Sequence, residues 1–112
     1  MSRIYVIYNE STERFKIGFS KNPLKRLKSL QTGNDNVLKL YYEREVKHHS
    51  KVETSLKRHF APYQTSGEWF EYPLNFAELD DMIIRNEKMF KALEENPFIQ
   101  FLNVVSYYYI CL

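Results

Sequence analysis

At 112 residues the chain is one domain by length, and its 16% aromatic content excludes a disordered or low-complexity class. The single cysteine, Cys111, excludes an internal disulfide framework and fits a reducing compartment; no secretory leader is expected, so the chain is read as intracellular. The formal charge of +2 divides into +7 over residues 1–67 and −5 over residues 68–112.

Ile4 to Tyr8 is β-branched and aromatic and reads as a strand. Asn9 to Glu13 is a hairpin-type polar break, and Arg14 to Phe19 is the return strand. Phe15 and Ile17 would face one side, and Lys16 and Gly18 the other. Asn22 is a good N-cap and Pro23 suits the first helical position. Leu24, Leu27 and Leu30 then form the apolar side of a first helix, which Gly33 would stop in the left-handed conformation. Residues 14–34 carry Arg14, Lys16, Lys21, Lys25, Arg26 and Lys28 and no acid. Such a field attracts polyanions, although a solvated helix face explains the same charges. Leu38, Leu40 and Tyr42 alternate with Lys39 and Tyr41 as in a half-buried third strand.

Ser50-Lys51-Val52-Glu53 has the capping-box pattern and would open a second helix with Val52, Leu56 and Phe60 on its apolar stripe, ended by Pro62. Gly67 to Tyr72 reads as a short extended segment with a large apolar anchor. Asn75-Phe76-Ala77-Glu78 repeats the capping pattern and starts a third helix. Its core face would carry Leu79, Met82, Ile83, Phe90 and Leu93, and Asn96-Pro97 would stop it. Phe98 to Leu112 holds no charge. At about fifteen residues it is short for a membrane span, which needs roughly twenty, so packing on the sheet or in a dimer is expected instead.

In this order, the motifs resemble those of the GIY-YIG nuclease superfamily, in particular the branch of bacteriophages and large DNA viruses with a lysine opening the second motif. Arg3-Ile4-Tyr5 stands for Gly-Ile-Tyr and Lys16-Ile17-Gly18 for Tyr-Ile-Gly. Phe19 to Leu27 matches the segment bearing the family's arginine. Leu30 to Asn34, then Glu53, Leu56 and Phe60, then Gly67 to Phe70 are further hallmarks of that branch. The resemblance spans residues 3 to about 72. It departs at Arg3 for Gly, at Lys57 where His is expected, and at Gln64 where Arg is usual.

The resemblance implies one-metal hydrolysis of a nucleic-acid phosphodiester. Glu53 would be the sole protein ligand of one divalent ion, Mg²⁺ or Mn²⁺; as the last residue of a capping box it would instead hold a backbone amide. Tyr5 would position or deprotonate the attacking water. An unperturbed phenol, pKa about 10, is a poor base, and Lys16 is placed to supply a neighbouring cation. Covering a sheet face is the plain alternative for Tyr5, and solvent exposure for Lys16. Arg26 would bind the scissile phosphate, because guanidinium matches it in a bidentate way and keeps its proton. With Leu24 and Leu27 facing the core, Arg26 would be partly sheltered. Lys21, Lys25, Lys28 and Lys57 are read as backbone-phosphate contacts. His48 and His49, at a strand end, should diverge rather than share a metal. His59 is expected at the surface, and Trp69 and Phe70 are expected to pack on the core rather than stack on a base.

The fold that follows is an α/β (α+β) sandwich, a three-stranded antiparallel sheet flanked by helices with a C-terminal helical extension. Residues 1–72 would form the catalytic core, and 73–112 a C-terminal helix and apolar tail packed on it or in a homodimer. The expected partner is DNA, with no stable membrane insertion. The competing readings are a nucleic-acid-binding module that does not cut, and an assembly or membrane-associated factor acting through its apolar tail.

Overall fold

The chain's first β-branched and aromatic run becomes an inner strand, paired on both sides. The computed structural model describes residues 2–96. Within them β1 (Arg3–Asn9) and β2 (Arg14–Ser20) form the expected hairpin. Asn9 Oδ1 closes it by accepting the Ser11 and Thr12 amides at 3.1 and 3.3 Å. There follow α1 (Pro23–Thr32), β3 (Leu38–Glu45), α2 (His49–His59), β4 (Trp69–Glu71) and α3 (Phe76–Glu95).

Among the described residues the sheet has four antiparallel strands in the order β3-β1-β2-β4, not the expected three. The extended segment at Trp69 pairs with Arg14–Lys16, because Phe70 is buried and stacks on Phe15 with ring centroids 5.6 Å apart. β4 stops at Lys16, so the ladder on that side of β2 does not reach Ile17–Ser20.

Strand alternation divides the side chains between two cores. On one face Ile4, Val6, Phe15 and Ile17 meet Val52 and Leu56 of α2 and Leu79, Ile83, Phe90 and Leu93 of α3. On the other, Tyr5, Ile7 and Leu38 meet Leu27 and Leu30 of α1. At about 1.5–3 kcal/mol for each large apolar side chain buried, the first face dominates stability. Helix α3 therefore shares the core of the hairpin. Its N-cap is the expected one, with the Glu78 amide donating to Asn75 Oδ1 at 3.0 Å. Met82 is only half-buried on it.

Several local expectations are corrected. The alternation of Leu38, Leu40 and Tyr42 breaks at a register shift between Val6 and Ile7, which leaves Leu40 by α1 and Tyr42 in the larger core. In α1, Asn22 caps as expected, accepting the Lys25 amide at 3.1 Å. Leu24, however, is 58% exposed, and the inward line is Pro23, Leu27 and Leu30. Gly33 has φ −100°, not a left-handed value. The Gln31 side chain organises that loop: Nε2 donates to the Asn34 and Asn36 carbonyls, and Oε1 accepts the Leu38 amide.

Helix α2 begins before Ser50, so the capping box does not form. His48 is its N-cap, without a side-chain hydrogen bond. Glu87 of α3 accepts the Lys47 and His48 amides at 3.2 and 3.3 Å in its place. His48 and His49 thus start a helix rather than end a strand. The apolar segment from Phe98 onward, with Cys111, lies outside the described residues.

Candidate active site

On the α1 face, Tyr5 stands opposite Gly18 and Ile7 opposite Lys16. The Tyr5 ring lies across Gly18 so closely that a methyl group there would overlap its Oη and Cζ. Lys16 is the diagonal neighbour of Tyr5, roughly 7 Å away on this face. Its side chain is 13% exposed, and Nζ donates to Glu68 Oε2 at 2.7 Å.

Glu68 lies at the point where the β2–β4 ladder ends. The turn before it needs Gly67, whose φ is +60°, a value strained for side-chain-bearing residues. Glu68 Oε1 is also 3.6 Å from Lys57 Nζ, which in turn is 3.7 Å from Glu53 Oε1. An alternating line of charge, Lys16–Glu68–Lys57–Glu53, thus runs from one face of the sheet to the helix on the other. Hydrogen bonding to Lys16, then its charge and that of Lys57, hold the Glu68 carboxyl below its ordinary range. Glu53 is pushed the other way, mainly by burial, with Glu68 adding to the rise and Lys57 and His49 opposing it. With Ser50 inside the helix, no capping role engages the Glu53 carboxylate.

Arg26 is exposed rather than sheltered, because Leu24 beside it does not face the core. It lines a depression of about 210 Å³ with Ser20, Asn22, Lys25 and Ser29. Ser20 is two residues beyond Gly18 on the same face of β2, so Arg26 lines a rim at the Ser20 end of that strand. Among the described residues no side-chain hydrogen bond or ion pair engages Arg26 or joins it to Tyr5, Lys16 or Glu53. Lys21, Lys25 and Lys28 are exposed at and along α1, whereas Lys57 belongs to the charge line on α2.

The histidines diverge. His48 Nε2 approaches Glu94 Oε2 at 3.0 Å, off-line for a hydrogen bond, while the His49 ring packs on Phe19 at 4.5 Å. His59 is exposed. Phe70 is a core residue and Trp69 packs at the edge of the α1-side core. Among the described residues no three His, Cys, Asp or Glu side chains cluster as a metal site, and no helix is long and apolar enough to cross a membrane.

Sequence reasoning missed Glu68 as a site residue, taking its segment for an apolar anchor. The signal available was its place directly before the strand residue that pairs with Lys16.

The α+β scaffold thus sets a basic helix and a tyrosine–lysine face on one side of the sheet and links that face, through Glu68 and Lys57, to a half-buried glutamate on the other. The chain belongs to the T5orf172 domain family, which matches residues 2–87. This domain occurs in phage proteins and is associated with a nuclease fold of GIY-YIG-like or HNH-like kind. No curated protein and no solved structure matches the chain.

Proposed function

We propose that the chain is a GIY-YIG-type endonuclease that hydrolyses DNA phosphodiester bonds with one divalent ion, Mg²⁺ or Mn²⁺. The observation that carries this reading is the Tyr5 ring laid over Gly18 beside Lys16, with Glu53 tied to Lys16 through Glu68 and Lys57. Glu53 suits a magnesium-type ion, which needs only one or two carboxylates beside water and phosphate oxygens. Its burial leaves the carboxylate short of compensating positive charge. Bound there, the ion supplies Lewis-acid stabilisation of the scissile phosphate and the leaving oxygen.

The chain's own residues do the rest. Tyr5 orients the attacking water through its phenol, and Lys16 brings positive charge to the same face. Arg26, with no partner among the described residues, is free to grip the phosphate oxygens and offset the charge that grows on them. Lys21, Lys25 and Lys28 hold neighbouring phosphates without reading sequence.

One observation favours the second reading, a nucleic-acid binder that does not cut. The Lys57 ammonium stands 3.7 Å from Glu53, where it satisfies some of the carboxylate's need for a cation. Supercoiled plasmid with Mg²⁺ or Mn²⁺ separates the two. Nicking that is lost in Glu53→Ala and Arg26→Ala supports the enzyme, whereas gel retardation without nicking supports the binder.

A further inference from the structure

Beyond the hairpin's catalytic face, the same side of the sheet holds a polar cavity of about 220 Å³. Its walls come from five places in the chain. Asn9 and Thr12 lie at the hairpin turn, Arg14 on β2, Asn34 and Asn36 in the loop after α1, and Ser66 before β4. Trp69 completes the wall.

Its chemistry is one-sided. Asn9 Oδ1 is engaged by the Ser11 and Thr12 amides and Asn34 Oδ1 by the Asn36 amide, so both side chains are left with their NH₂ groups to offer. Ser66 and Thr12 add hydroxyls. Arg14 Nε is shut off from solvent and makes no hydrogen bond among the described residues, an unusual state for a buried donor. Among the described residues no carboxylate lines the cavity. Glu71, opposite Arg14 in the ladder, makes no ion pair with it among the described residues and lines a different depression with Tyr8, Glu13 and Tyr72.

A fixed positive charge, an unsatisfied buried N–H, and amide and hydroxyl donors around one carboxylate-free wall suit a tetrahedral oxyanion. We propose that this cavity is a phosphate site, separate from the Arg26 rim, that takes a backbone phosphate flanking the one at Tyr5. Arg14 is two residues from Lys16 on one face of β2, roughly 7 Å along the strand, so one nucleic-acid strand can cross both. That the phosphate belongs to nucleic acid rests on the proposed function; that the cavity takes phosphate does not.

Two probes test this. In protein carrying ¹⁵N-arginine, titration with inorganic phosphate should move the Arg14 Nε–Hε signal, assigned by its absence in Arg14→Gln. In metal-free buffer, binding of a labelled DNA duplex should weaken about tenfold in Arg14→Gln, equally across unrelated sequences. Its log–log salt slope should fall by about 0.9, the value of one phosphate contact. Asn36→Asp, which puts a carboxylate in the cavity without touching the core, should weaken both probes and covers the case of a misfolded Arg14→Gln.

An Arg14 signal indifferent to phosphate, with unchanged duplex affinity in correctly folded variants, would overturn the proposal. A signal that moves while the duplex slope stays constant would assign the cavity to free phosphate and overturn the flanking-strand part. Affinity loss that varies with sequence at constant slope would make the cavity a base reader, again overturning it. Neither probe needs cleavage, so failure of the nuclease reading alone leaves both results intact.

Discussion

Adding one methyl group at Gly18 tests whether the approach of Tyr5 to β2 fixes the candidate site. An alanine Cβ would overlap the phenol's Oη and Cζ and lie 3.0 Å from Cε1. Tyr5 is 3% exposed, so its ring has no solvent to retreat into. Overpacking of this kind costs about 1–3 kcal/mol. Glycine-to-alanine replacement in an ordinary strand conformation returns roughly 0.4–1 kcal/mol by restricting the unfolded chain. The net loss is about 1–2 kcal/mol, or a fall in Tm on the order of 5–10 °C for a domain near this size. Thermal unfolding followed by circular dichroism measures it, and under the proposed function plasmid nicking should fall at least tenfold, because the phenol would be displaced from the water it is proposed to orient. In a Tyr5→Ala background the same methyl should be neutral or stabilising, a coupling of about 1–3 kcal/mol between the two sites. Gly18→Ala protein that melts at or above the parent, with no coupling to Tyr5, would refute the reasoning.

Three further outcomes follow from named contacts. Burial raises the Glu53 carboxyl, so the folded state holds that proton more tightly than the unfolded one. Stability therefore falls as pH rises from the unfolded value near 4.5 through the raised folded one. Glu53→Gln should melt higher than the parent at pH 7 and lose that advantage below the ordinary carboxylate range, while also losing any Tm rise caused by Mn²⁺ in the parent. Tyr42 donates to Asp80 Oδ1 at 2.6 Å and joins β3 to α3, so Tyr42→Phe should cost about 1.5–3 kcal/mol in urea unfolding. Gln31→Ala removes three hydrogen bonds that shape the loop after α1. It should destabilise by roughly 2–3 kcal/mol and speed hydrogen exchange at Leu38.

The hairpin, α1 and the α3 cap were legible because their signals are local. Phe15 and Ile17 alternate with Lys16 and Gly18, and Asn22 and Asn75 stand where a cap must. The errors arose where distant residues outcompeted a local pattern. Ser50-x-x-Glu53 reads as a capping box until Glu87, thirty-four residues beyond Glu53, takes the amides before α2. Leu24 fits a helical stripe, yet the sheet that α1 covers reaches only Leu27 and Leu30. The register shift in β3 and the pairing of β4 depend on which strands become neighbours, and no single segment carries that information. At the candidate site, Tyr5 and Lys16 share a face by simple strand parity. The link to Glu53 through Glu68 and Lys57 was hidden because it joins three separate elements.

The abrupt end of β4 has a consequence for how this small scaffold could change. Three paired residues are enough to anchor Trp69 and Phe70, and the missing upper rungs leave an opening in the wall between the two layers. Through that opening Lys16, on the α1 side of the sheet, reaches Lys57 of α2 on the other side by way of Glu68, much as two workers share a bench through a hatch. Extending the ladder by two rungs would brick it up and cut Lys16 off from Lys57 and Glu53.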